Sequence, residues 1–201
     1  MSDLQIIEKL EARLPRRLKR LDNITWFSKG FMVDADEQVT HLSIFNMRLN
    51  SHFPEEIFEL KSLEYLDIRN NYIKSIPAQI GILTKLRYLD IRYNELTQLP
   101  DEFNNLSNMQ KLYIGANQFT EVPENIENLK SLELLDMCEN NIVDVKGQFF
   151  TLPALTNIYL NDNRIKNFPF AKVPVEQIVE MNLSENLIED FPENLSDKIK
   201  R

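Results

Sequence analysis

Residues able to attack a bond are scarce in this chain: two histidines, His41 and His52, and one cysteine, Cys138. A thiolate nucleophile needs an imidazole base within hydrogen-bond reach. His41 and Cys138 lie on short segments of alternating apolar residues, with three like segments between them. If these are neighbouring strands, the two residues stand about 19 Å apart, and His52 falls in a turn. No Cys/His dyad is expected. Gly30, Gly81, Gly115 and Gly147 are scattered, which removes the clustered loops that cradle phosphates. A lone cysteine supports neither an internal disulfide nor a thiolate zinc site. Cys138 reads as an incidental outward thiol, with oxidation or metal coordination as the alternative. Carboxylates are plentiful, yet on a solvated face they are ordinarily surface charge. The chain is therefore expected to be non-enzymatic, with no cofactor and no metal.

Charge narrows the partners. The formal charge of -8 divides into +3 for residues 1–20 and -11 for the remainder. An acidic body repels phosphate backbones and anionic membrane surfaces, so no nucleic acid is expected as a partner. The exception is the basic group Arg13, Arg16, Arg17, Lys19 and Arg20, split by Pro15. It suits either contact with an anionic membrane or nucleic acid, or the polar face of a capping helix. No stretch approaches the roughly 18 apolar residues of a membrane span. Asp3, Glu8 and Glu11 interrupt the start where a secretory signal would be apolar. A cytoplasmic monomer is expected, with secretion as an effector without a cleavable signal as the alternative.

The elements that must position any functional residue are written in a repeat. "LEYLDIRNNYIKSIP", Leu63 to Pro77, is followed 23 positions later by "LRYLDIRYNELTQLP", Leu86 to Pro100. The pattern LxxLxLxxNxLxxLP, with conservative replacements, begins at Val39, Leu63, Leu86, Met109, Leu132, Leu155 and Ile178, spaced by 24 once and then by 23. Within a unit Leu66 and Ile68 alternate with Tyr65, Asp67 and Arg69, the period of a short strand with one buried face. Pro77 suits a first helical turn, and Ile80 and Leu83 follow at helical spacing. One such unit cannot cover its own apolar side, so units must stack. Asn71, Asn94, Asn117, Asn140, Asn163 and Asn186 hold one position in six units, where an inward amide can bond the backbone of the bend. They read as a structural ladder, with Met47 replacing Asn in the first unit.

The seven units resemble the leucine-rich-repeat family over about residues 39–195. Their LPxxIxxL segments are similar to those of intracellular Ras-binding scaffold repeats and many bacterial and archaeal members. The resemblance implies an α/β repeat solenoid, a horseshoe with a parallel concave sheet and short helical or 3-10 turns on the convex side. It also implies a non-enzymatic scaffold that binds a protein partner on the concave face. A regulatory fragment of a larger signalling enzyme is the remaining alternative. Residues 1–38 are expected to close the first rung, with a helix capped by Ser2 or Asp3 presenting Leu4, Ile7, Leu10 and Leu14. Phe31 to Val33 should pair antiparallel with the first repeat strand, and Trp26 and Phe27 should plug the core. Seven repeats then occupy 39–195, and 196–201 form a tail.

Folding leaves the outward strand positions free, and they are not random. One column runs His41, Tyr65, Tyr88, Lys111, Leu134, Asn157, Glu180, the next Ser43, Asp67, Asp90, Tyr113, Asp136, Tyr159, Asn182, and the third Phe45, Arg69, Arg92, Gly115, Cys138, Asn161, Ser184. Tyrosine and arginine dominate interface hot spots, which marks Phe45, Tyr65, Arg69, Tyr88, Arg92, Tyr93, Tyr113 and Leu134 as candidate partner-binding residues. The alternative is that the aromatic residues merely stack along the sheet. Gly115 and Ala116 should leave a shallow notch among them. Arg69 and Arg92, like charges on adjacent strands, need a neutraliser, either Asp67 and Asp90 or a partner carboxylate between them. Asp136, Glu139, Asp162, Glu180 and Glu185 make the far half acidic, so a partner should be basic there.

Overall fold

Each repeat contributes one strand and each of the first six a 3-10 turn, and the pairing follows chain order. The computed structural model describes residues 1–50, 52–194 and 196–201; the expected end of the repeats at 195 lies outside the described residues. Strands β3 (Val39–Ser43), β4 (Tyr65–Asp67), β5 (Tyr88–Asp90), β6 (Lys111–Tyr113), β7 (Leu134–Asp136), β8 (Asn157–Tyr159) and β9 (Glu180–Asn182) form one parallel array. Behind it lie 3-10 turns such as Ala78–Ile82 and Asp101–Asn105. Pro54, Pro77, Pro100, Pro123 and Pro169 stand at the N-caps of five turns, where the missing N–H costs nothing. Between strand and turn lies the core, and in the second rung Leu66, Ile68, Ile73, Ile80 and Leu83 are all completely buried. This is the expected solenoid.

The bend after each strand has its own backbone signature. Asn46, Asn70, Tyr93, Ala116, Glu139, Asp162 and Glu185 adopt φ between 48° and 57°, one residue before the ladder position of each rung. A non-glycine residue in this left-handed region is disfavoured, so the bend is held by surrounding bonds rather than by local preference.

At the N-terminal end, α1 (Asp3–Glu11) carries a capping box between Ser2 and Gln5 and buries Ile6, Ile7 and Leu10. The Asp3 carboxylate accepts the buried Val39 N–H at 2.8 Å, tying the helix to the first rung. Strand β2 (Gly30–Val33) pairs antiparallel with β3, and β1 (Lys19–Arg20) pairs parallel with β2. Only glycine fits at Gly30, because a Cβ there would lie 2.0 Å from the Lys19 carbonyl oxygen. Trp26 and Phe27 do not plug the core: they are 51% and 90% exposed. Ile6, Ile7, Leu10, Leu14, Leu18 and Phe31 already close that end. At the other end the expected tail supplies a further strand, β10 (Ile199–Lys200), parallel to β9, with Ile199 buried.

Candidate functional site

The outward columns are set by the strand register. His41, Tyr65, Tyr88, Lys111, Leu134, Asn157 and Glu180 are successive cross-strand partners, as are Ser43, Asp67, Asp90, Tyr113, Asp136, Tyr159 and Asn182. The asparagines fix one rung to the next. Asn117 accepts the Leu96 N–H at 3.0 Å and donates to the carbonyls of Ile91, Ile114 and Gly115, each at 3.1 Å. Asn71, Asn94, Asn140, Asn163 and Asn186 repeat the arrangement, so each amide spans its own bend and the preceding unit.

On this frame the aromatic candidates form a continuous column. The His41 and Tyr65 rings stack at 5.6 Å, Tyr65 and Tyr88 at 4.3 Å, and Tyr113 tilts against Tyr88 at 5.2 Å. All four side chains are half-buried. Burial pushes the Tyr65 hydroxyl up to about 12, and Tyr88 higher still, so both stay neutral donors. Desolvation lowers His41, which favours its neutral form. Leu134 is half-buried on β7 beside Lys111, and Tyr93, at 53% exposure, stands out from the bend.

The arginine pair is neutralised within the chain. Arg92 makes a forked pair with Asp90, Nε to Oδ1 at 3.0 Å and Nη2 to Oδ2 at 2.7 Å, and reaches Asp136 at 3.6 Å. Arg69 Nε lies 3.3 Å from Asp67. Burial alone would lower the Arg92 guanidinium, but its bonds and charge contacts to Asp90 and Asp136 outweigh that and raise it. Asp67 is pushed up to about 6, first by burial and then by the charge of Asp90 across the strand pair. The internal alternative, pairing with Asp67 and Asp90, is thus the one present here.

Two side chains at this site were not legible as such. The Trp26 indole lies under both guanidiniums, 4.8 Å from Arg69 and 5.0 Å from Arg92, and Arg69 also donates to the Trp26 carbonyl. Lys29 stands 4.4 Å over the Phe45 ring, whose centre is 4.6 Å from Arg69. Their one signal in the sequence was an aromatic pair in a polar stretch, "DNITWFSK".

The expected notch is filled. A Cβ on Gly115 would meet Cys138 Sγ at 2.9 Å and Asp136 Oδ1 at 3.1 Å, so the missing side chain admits neighbours of the same sheet. Cys138 is half-buried rather than freely exposed, and burial together with the Asp136 carboxylate pushes its thiol well up, away from the reactive thiolate. Of the basic N-terminal group, Arg13 pairs with Glu56 at 3.0 Å and Arg20 with Glu37 at 2.9 Å. Among the described residues no group of His, Cys, Asp and Glu is placed to hold a metal, and no helix is long and apolar enough to cross a membrane.

Comparison with known proteins agrees with the geometry. A family model described as a leucine-rich repeat region matches residues 33–117, and a second, described as leucine rich repeat, matches residues 107–165. The chain is a leucine-rich-repeat protein. No curated protein matches it. Among solved structures, a leucine-rich-repeat protein of Leptospira interrogans superposes at a TM-score of 0.71 and 23% identity over 96% of this chain and 48% of that one. A TDR receptor matches at 0.65 and 28% over 73% of this chain and 26% of that one. An internalin of Listeria monocytogenes matches at 0.62 and 24% over 80% and 47%. This leucine-rich-repeat chain therefore spans half or less of the length of each. The fold is commonly a protein–protein interaction scaffold, and its members are typically non-enzymatic.

Proposed function

We propose that the chain binds a protein partner through the concave face of its first five rungs. The observation that carries this reading is the half-exposed column of Tyr65, Tyr88 and Tyr113, bordered by Phe45, Arg69, Arg92, Tyr93 and Leu134, on a sheet whose register is locked by the asparagine ladder. Rigid aromatic side chains lose little freedom on binding and pack large areas, which is why they anchor interfaces. Glu139, Asp162 and Glu185 are exposed along the rim of the later rungs, so the partner carries a basic patch that faces them. As such a scaffold the protein acts as a cytoplasmic monomer in signalling assemblies.

The test is capture of partners from the source cell by variants of either face. Tyr88→Ala with Tyr93→Ala leaves the neutralised arginines in place and should abolish capture, with folding checked by thermal melting. Ile82→Ser on the convex side, at 47% exposure, should capture as the parent does. Equal capture by the concave double variant would overturn the proposal.

A further inference from the structure

The concave face already has an occupant. Trp26 is the only tryptophan of the chain, and it stands on the two arginines that fall within the proposed binding surface. Its backbone carbonyl accepts from Arg69 while its ring stacks on both guanidiniums, so one residue satisfies a flat cationic pair and a donor at once. Neither arginine needs this for charge balance, since Asp67, Asp90 and Asp136 supply it. Nor does the core need it, since the indole is 51% exposed and the adjoining Phe27 is 90% exposed.

The segment that carries Trp26 is bonded to itself. Thr25 and Ser28 close it on themselves, with Thr25 N–H to Ser28 Oγ at 3.1 Å, Ser28 N–H to the Thr25 carbonyl at 3.0 Å, and the two hydroxyls 2.8 Å apart. Its attachments to the face run through Arg69, Arg92 and Lys29, which makes a 3.4 Å bond to the Asn46 carbonyl and stands over the Phe45 ring. A turn bonded internally can leave the arginines without losing its own hydrogen bonds.

We infer that Arg69 and Arg92 form a clamp for an aromatic ring presented beside a backbone carbonyl, and that Trp26 is a built-in competitor which a partner's aromatic peptide segment displaces. This inference deepens the concave-face reading and rests on it for the existence of a partner. The clamp itself is defined by residues of this chain and can be measured without one.

The probe is a fluorescent synthetic peptide of residues 21–29, LDNITWFSK. Against a tethered copy at millimolar effective concentration, the free peptide should bind the Trp26→Ala protein about tenfold or more tighter than wild type. Adding Arg69→Lys and Arg92→Lys keeps positive charge beside Asp67 and Asp90 but removes the planar guanidiniums, and should abolish that binding. Independently, acrylamide quenching of Trp26 emission in the wild-type protein should be reduced below that of the free peptide in proportion to its 51% exposure. Quenching equal to the peptide's, no binding to Trp26→Ala, or equal binding with and without the lysines would each overturn the clamp. If the clamp is measured and concave variants still capture the partner, the concave-face reading alone fails. If capture depends on that face but the peptide does not bind, the clamp alone fails.

Discussion

Asp67 shows how much of this site is decided residue by residue. Its carboxylate is 1% exposed, directly opposite Asp90 in the neighbouring strand, with Arg69 and the Ser43 hydroxyl as its partners. Burial and the adjacent charge lift it from 3.8 to about 6. Between those values the folded protein holds a proton that the unfolded chain has released, so stability falls as pH rises through the window, and the cost is complete above it. Asp67→Asn stays neutral and should lack this slope. Urea titrations at about pH 4 and pH 7 should show the variant gaining about 2 kcal/mol relative to wild type at the higher pH; equal differences at the two pH values would contradict the assignment. The alternation of the sequence placed Asp67 and Arg69 on one face, but it could not choose between internal pairing and a partner's carboxylate. That choice depends on side-chain reach and on a third carboxylate, Asp136, which lies two rungs beyond Arg92.

At the scale of the element, the asparagine position joins rungs. The bend it serves is strained at a left-handed residue and leaves carbonyls facing inward, and the amide bonds groups of two successive units. Asn117→Ala strands several buried backbone groups at once and should cost about 3 kcal/mol in equilibrium urea denaturation. Asn186 serves an end rung and is half-exposed, so Asn186→Ala should cost about 1 kcal/mol, water replacing part of what is lost. Equal losses at both positions would mean that burial does not govern the ladder. The ladder was legible because its spacing repeats. The Trp26 segment was not, because it occurs once: an aromatic pair near a chain end reads as core filling until the helix is seen to bury Ile6, Ile7 and Leu10 there instead.

At the scale of the whole molecule, stacking makes stability local. Each strand pairs only with its neighbours, so the middle strands are supported from both sides, while β9 is followed by the two residues of β10. Val179 and Leu187 remain 64% and 52% exposed at that end. Amide hydrogen exchange followed by mass spectrometry should find the slowest exchange in β5 to β7 and the fastest in β9 and β10. A uniform profile would indicate that the array opens only as a single unit. The same linear design explains the concave surface, since seven short strands with fixed register bring residues 23 apart in sequence into contact and hold them there.

The sequence by itself determined the solenoid, its register, its outward columns and its asparagine ladder. A repeated pattern states each constraint many times, and the apolar side of a unit has no other way to leave water. Only the tertiary structure decided how the non-repeated parts meet the repeats. It set Trp26 on the arginine pair, filled the space over Gly115 with Cys138 and Asp136, and turned the last residues into a strand. Those outcomes depend on distances between side chains far apart in the chain, which periodicity does not encode.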